Sequence, residues 1–230
     1  MRSAERGIAF FDVDDTLITF NSMLSFLAHH WAREGSDPSR FDRVRTGLLA
    51  RRAEGVPRAE LNRAYYRHYR GCDAAVLARH GREWYAAESA KGTMFHAPAV
   101  EAVRRHRGEG RPVALVSGSF RPCLDPIAEA LDASLVLCTA PLTENGVLTG
   151  EVDEPVIGER KALLAVRVMD AHGARAADCY AYGDHSSDLA LLRSVGHPVA
   201  VGDDAVLAEW AGREGWARLP AARGARPSAA

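Results

Sequence analysis

Three carboxylates, Asp12, Asp14 and Asp15, follow directly on an apolar run in the stretch AFFDVDDTLI, residues 9–18. Like charges so close raise one another's proton affinity, so a pair is normally tolerated only with a cation or a shared proton between them. A hard divalent ion with oxygen ligands, most simply Mg²⁺, is one answer to the crowding. A plain turn is the other, because Asp favours turn positions. Further on, the apolar run PVALV ends in Ser117, Gly118 and Ser119 ahead of a helical pattern. A hydroxyl and backbone N–H groups placed there suit a phosphate. A third run, CYAY, ends in GDHSSD, which puts Asp184 and Asp188 before another helical pattern, and Lys161 stands near the start of the helix between them. Singly, each has an ordinary structural reading: a capped turn for the serines, a first-turn acid for Asp188, a solvated lysine for Lys161. Their joint appearance in order, each at a strand end or a helix start, favours a cation-assisted phosphate site.

Such residues meet only if the surrounding elements bring them together. Short apolar runs at 8–13, 112–117, 135–139, 179–183 and 198–202 alternate, in the later half, with helical patterns such as ERKALLAVRVMDAHG. Strands that are apolar throughout and alternate with helices imply an α/β, doubly wound parallel sheet covered on both faces. In such sheets ligands bind beyond the carboxyl ends of the strands, where Asp12, Ser117 and Asp184 fall. From 20 to 93 the patterns are helical, with segments closed by glycine, and no strand is convincing. This predicts a helical cap inserted after the first strand, with 1–19 and 94–222 as the core and 223–230 as a tail of disordered composition. Asn145-Gly146 between β-prone residues predicts a hairpin.

Composition narrows the function. The chain has 230 residues, 47% hydrophobic and 26% charged, with a formal net charge of -1. That balance fits an ordinary globular protein and makes nucleic acid a poor partner. No apolar run reaches the eighteen or so residues that span a bilayer, and acids stand where a signal peptide keeps its apolar segment, so membrane insertion is not expected and a cytoplasmic protein is. The cysteines, Cys72, Cys123, Cys138 and Cys179, lack CxxC spacing and read as reduced, packed thiols.

Taken together, DVDDT (12–16), SGS (117–119), Lys161 and GDHSSD (183–188) resemble the four ordered motifs of the haloacid dehalogenase-like hydrolase superfamily. The helical stretch directly after the first motif is similar to the phosphoserine-phosphatase-like branch, subfamily IB. The resemblance implies a phosphomonoester hydrolase, with a small phosphorylated metabolite as substrate and Mg²⁺ as cofactor. By it, Asp12 is the nucleophile that forms an aspartyl-phosphate, and Asp14 the acid and then base. Asp12, Asp14 through its backbone carbonyl, and Asp184 hold the metal, while Ser117, Gly118 and Lys161 bind the phosphoryl oxygens. Asp188 orients Lys161 or the metal shell, and Thr16 supports the loop. Transfer of the phosphoryl group to an acceptor other than water uses the same residues and stays open, as does a non-catalytic binding or regulatory role. A receiver-type domain is disfavoured by the helical insertion and by GDHSSD.

Phosphoserine phosphatases carry a Glu nine residues after the nucleophile; here that position is Asn21, which disfavours an ammonium-bearing substrate. Asn21 and His185 are the candidates for substrate specificity, with a surface histidine the preferred reading of the latter. In the cap, RAYYRHYR (63–70) reads either as a cationic aromatic surface for a phosphorylated ligand or, preferably, as an amphipathic helix that buries Leu61, Tyr65 and Tyr69 and leaves Arg63, Arg67 and Arg70 in water.

Overall fold

The computed structural model describes residues 7–222, so the tail assigned to 223–230 lies outside the described residues. The chain enters through β1 (Ala9–Phe11) and then forms α1 (Ser22–Arg33), α2 (Pro38–Ala53), α3 (Arg58–Tyr66) and α4 (Ala74–Ser89) before returning through α5 (Ala97–Gly108). Then follow β2 (Val113–Ser117), α6 (Arg121–Leu131), β3 (Leu135–Cys138), a hairpin of β4 (Pro141–Glu144) and β5 (Val147–Val152), and α7 (Glu159–Ala171). The remainder is β6 (Tyr180–Gly183), α8 (Leu189–Arg193), β7 (His197–Val201), α9 (Ala205–Glu214) and β8 (Ala217–Leu219).

The sheet is six-stranded in the order β3-β2-β1-β6-β7-β8, and its pairings are parallel. Topology therefore reverses at β1, and the crevice at the carboxyl ends of β1, β2 and β6 is the place where such a fold takes its ligand. Alternation along the strands sorts the core. Ala9 and Phe11 face one side with α5 and α6, whereas Ile8 and Phe10 face the other with α7, α8 and α9. Edge strand β8 was not foreseen: ARL has no apolar run, and one edge ladder to β7 is all that makes it a strand. The first strand is also shorter than the 8–13 run, because Val13 already begins a tight loop.

The hairpin is present, with Asn145 and Gly146 at φ 50 and 82, the left-handed pair that a tight two-residue turn requires. Helices α1, α3 and α4 do not form a separate core. Phe26, Leu27, Tyr65, Leu77 and Trp84 pack in one cluster with Leu124 and Ile127 of α6, Val113 of β2 and Phe11 of β1. The approach of α4 to α6 depends on Gly81, where a Cβ would lie 1.9 Å from the Pro122 carbonyl oxygen. By contrast α2 buries no residue at all. Among the described residues no helix is long and apolar enough to cross a membrane. The four cysteines are free thiols.

One buried polar cluster sits under the sheet away from the ligand crevice. Arg105 donates to the Tyr182 hydroxyl at 3.1 Å, and His106 Nε2 shares a hydrogen bond with the same hydroxyl at 2.9 Å. Burial, aided by the charges of Arg105, Arg111 and His197 and opposed by Glu109, pushes His106 down to about 4. The unfolded chain therefore binds a proton at this histidine between about pH 6.5 and 4 that the native chain refuses, so stability is complete above that window and falls as pH drops through it. His29, His30 and His68, also lowered by burial, add to the slope. Urea unfolding at a series of pH values is expected to show this decline, and His106→Gln to remove up to about one proton from it.

Candidate active site

The loop that follows β1 is wound around a single carbonyl. The amides of Thr16, Leu17 and Ile18 all donate to the Val13 oxygen, at 3.3, 2.9 and 3.0 Å, and Asp15 takes φ 58 to close the turn. Asp12 N–H donates to the Tyr182 carbonyl at 2.9 Å, which fixes the first carboxylate against β6. Thr16, wholly buried, donates from Oγ1 to Asp184 at 3.1 Å and lies 3.4 Å from Asp12 Oδ2, so it ties the end of β1 to the end of β6.

Lys161, in the first turn of α7, is the hub. Its ammonium donates to Asp12 Oδ1 at 2.5 Å and to Asp188 Oδ1 at 2.6 Å, and all three side chains are less than 10% exposed. Burial pushes the lysine's proton affinity down, but the charges of Asp12 and Asp188 outweigh it and hold the group above its ordinary value. Asp12 is raised by burial despite Lys161. The second oxygen of Asp188 accepts the His185 N–H at 3.2 Å, and the carboxylate lies over Gly183, where a Cβ would stand 2.6 Å from the aspartate Cβ. Any side chain at 183 would displace the lysine's anchor.

Asp14 turns the other way. Its oxygens accept from Ser22 N–H at 2.9 Å and from the Asn21 amide at 3.0 Å. Burial pushes this carboxyl up to about 7, against the hydrogen bonding from Ser22 and with a further upward push from Asp12 and Asp15. A carboxyl poised there can both give and take a proton near neutrality. At the second strand end, Ser117 Oγ accepts the Ser119 N–H at 3.0 Å, so its own proton remains for another acceptor. The Gly118 carbonyl is clamped from α3 by Asn62 Nδ2 and by the Tyr66 hydroxyl, both at 2.9 Å.

Asp12, Asp184 and Asp188 each offer a carboxylate oxygen within 4.8 Å of the others. Burial, then the charges of Asp12 and Asp188, drive Asp184 up to about 9. An all-oxygen, anionic set under that strain fits a hard divalent cation. Asp188 is held at both oxygens, by Lys161 at 2.6 Å and by the His185 N–H at 3.2 Å, whereas Asp12 Oδ2 meets Thr16 at a longer 3.4 Å, so Asp12 and Asp184 are better placed to hold such an ion. The Asp14 carboxylate stands outside this trio.

The predicted residues thus converge on one cleft of about 550 Å³, lined by Asp12, Asp14, Ser117, Gly118, Lys161 and Asp184. Two specificity candidates take different roles. Asn21 caps α1 by accepting the Leu24 N–H at 2.9 Å while its amide holds Asp14, so its polar atoms are spent on the protein itself. His185 is half-buried rather than a surface side chain: it caps the turn at Ser186–Asp188 by accepting the Ser187 N–H at 3.0 Å. In RAYYRHYR the tyrosines are core, as the amphipathic reading has it, although the helix ends at Tyr66 and Tyr69 lies in a following 3₁₀ turn. Arg63 donates to the Asp153 carbonyl and Arg70 pairs with Glu151, which pins the hairpin instead of reaching the cleft. The cleft's helical wall comes from residues that sequence reasoning missed, Arg45, Leu48, Leu49 and Arg52 of α2 and Arg58 of α3, together with Leu61 of α3, which the amphipathic reading buries and the structure leaves half-buried at the cleft. The i, i+3, i+4, i+7 spacing of the first four was the available signal.

A family model described as haloacid dehalogenase-like hydrolase matches residues 9–193. A probable phosphatase of Mycobacterium tuberculosis is 29% identical over 95% of this chain and 76% of its own. A crystal structure of a Bordetella pertussis Tohama I protein superposes with a TM-score of 0.81 at 26% identity, covering 93% of this chain and 98% of that one. A phosphoserine phosphatase captured as a phospho-aspartyl intermediate analogue shares the fold, with a TM-score of 0.65 at 18% identity over 89% and 90% of the two chains.

Two expectations follow from the geometry. Lys161→Met leaves Asp12 and Asp188 buried without their cation, which costs about 3–5 kcal/mol at neutral pH. Adding Asp188→Asn is expected to recover part of the loss, and a double-mutant cycle by urea unfolding measures the coupling. Asn21→Ala removes both the cap and the amide that aims Asp14. Its effect on ester turnover is expected mainly in kcat, with KM nearly unchanged, as steady-state kinetics will show.

Proposed function

The chain belongs to the haloacid dehalogenase-like hydrolases, and from that premise we propose that it is a Mg²⁺-dependent phosphomonoester hydrolase of a small metabolite other than phosphoserine, working through an aspartyl-phosphate on Asp12. The observation that carries the reading is the Lys161 bridge from Asp12 to Asp188 beside a second carboxyl, Asp14, pushed up to about 7.

Lys161 covers Asp12 Oδ1. That leaves Oδ2, which Thr16 meets through a long contact of 3.4 Å, as the attacking atom. It forms a bond to phosphorus while the ester P–O bond breaks, and Asp14 gives its proton to the departing alkoxide. Asp14, now ionised, then takes a proton from the water that attacks the phosphoaspartate, and the P–O bond to Asp12 breaks to release phosphate. Lys161 and the Ser117 hydroxyl meet the charge on the phosphoryl oxygens. Asp12, Asp184 and the Asp14 backbone carbonyl would hold Mg²⁺, which supplies charge neutralisation between nucleophile and phosphate. The second carboxyl, Asp14, separates this chemistry from dehalogenation at carbon, where no leaving alkoxide needs a proton. Asn21, committed to Asp14 and to α1, leaves no acid at that position for a substrate ammonium.

The test is phosphate release from a panel of phosphomonoesters with Mg²⁺ or with EDTA. Turnover is expected to need Mg²⁺ and to fall by roughly 10³-fold or more in Asp12→Asn. Full activity in that variant would overturn the assignment of the nucleophile.

A further inference from the structure

Helix α2 is tied to the molecule by one face and shows another to the cleft. Phe41 and Val44 pack against the main core, whereas Arg45, Leu48, Leu49 and Arg52 line the cavity above the carboxylates. Leu49 is 50% exposed, and Leu61 of α3 lines the same wall. Leucines there give a substrate an apolar surface on its way from the phosphate site to the mouth.

Positive charge converges on the exposed side of this cleft, where Arg45, Arg52 and Arg58 line it. The Arg52 guanidinium lies 3.5 Å from His185 Nε2, and Arg58 stands close enough to act on the same imidazole. Arg45 has Asp42 at 4.0 Å, but no carboxylate of the described residues comes within 4.0 Å of Arg52 or Arg58. Lys161, Ser117 and the carboxylate-held cation already account for a phosphoryl group deeper in the cleft. These outer guanidinia are therefore surplus to the reacting phosphate, and Arg suits a second, planar or tetrahedral anion.

We propose that the cleft selects a phosphomonoester whose leaving alcohol carries a second anionic group, carboxylate or phosphate, beyond a short apolar body. The apolar body lies along Leu48, Leu49 and Leu61, and the anion is held by Arg52 and Arg58. This selectivity rests on the phosphomonoesterase reading, but its test separates from it.

The probes are hexyl phosphate, 6-phosphonooxyhexanoate, hexane-1,6-diyl bisphosphate and 6-aminohexyl phosphate, which keep the body and change the far end. In the wild-type protein with Mg²⁺, kcat/KM is expected to be about 10-fold or more higher for an anionic terminus than for hexyl phosphate, and lower for the ammonium. The better of the two anionic probes identifies the anion. In Arg52→Gln/Arg58→Gln the ratio is expected to collapse to within about twofold, and the Arg→Lys pair to keep part of it, since charge survives there without the planar fork. Calorimetric binding of the same esters to Asp12→Asn gives the ranking without turnover. Equal kcat/KM across the termini, or a ratio that persists in the Gln pair, overturns the selectivity. A binding ranking without any hydrolysis by the wild type overturns the hydrolase reading alone.

Discussion

One ammonium among buried carboxylates sets the terms for this molecule. Lys161 cannot be buried unless Asp12 and Asp188 meet it, and neither of those acids can be buried ionised without it. The three come from α7, the end of β1 and the turn after β6, so the ion cluster requires those elements to be in register. The parallel ladder from β1 to β6 supplies that register, pairing Ala9 with Tyr180 and Phe11 with Tyr182. Even so the cluster stays short of positive charge. Asp184 remains driven up by burial and by its anionic neighbours, a repulsion that a divalent cation would relieve.

The cap acts on the same centre through backbone groups. Asn62 and Tyr66 hold the Gly118 carbonyl, and Ser22 shares a hydroxyl contact with Ser119 at 3.0 Å, so the loop after β2 is braced from α1 and α3. Because α1, α3 and α4 share one apolar cluster with α6, movement of these helices would disturb the core as well as the loop. Helix α2, without a wholly buried residue, touches that cluster only at its partly buried Phe41 and Val44. The inserted helices thus divide: α1 and α3 brace the loop after β2, α4 packs with them on α6, and α2 presents a wall to the cleft.

Asn21 shows how a single position can be recast by its surroundings. As a letter in the sequence it stands where related enzymes read a substrate amine. In the fold its carbonyl oxygen caps α1 and its amide holds the Asp14 carboxyl, so it acts on another side chain of the cleft. RAYYRHYR shows the reverse: a stretch whose arginines and tyrosines suggest a ligand surface proves to be packing plus two clips on the hairpin.

What the sequence by itself determined follows from local rules. Apolar runs alternating with helical patterns specify a parallel sheet with covered faces, and polar residues at the run ends specify a site at its carboxyl edge. Asp12, Asp14, Ser117, Lys161, Asp184 and Asp188 were legible because their chemistry is carried by residue type and by position at a strand end or helix start. Asn145-Gly146 was legible because a tight turn needs left-handed backbone. What only the tertiary structure decided depends on contacts between segments far apart in the chain. Strand β8 exists through its ladder to β7, the Asn21 amide through Asp14, and the wall of Arg45, Leu48, Leu49 and Arg52 through the angle at which α2 overhangs the cleft. Helical period tells which residues share a face; which neighbour that face meets is set by packing.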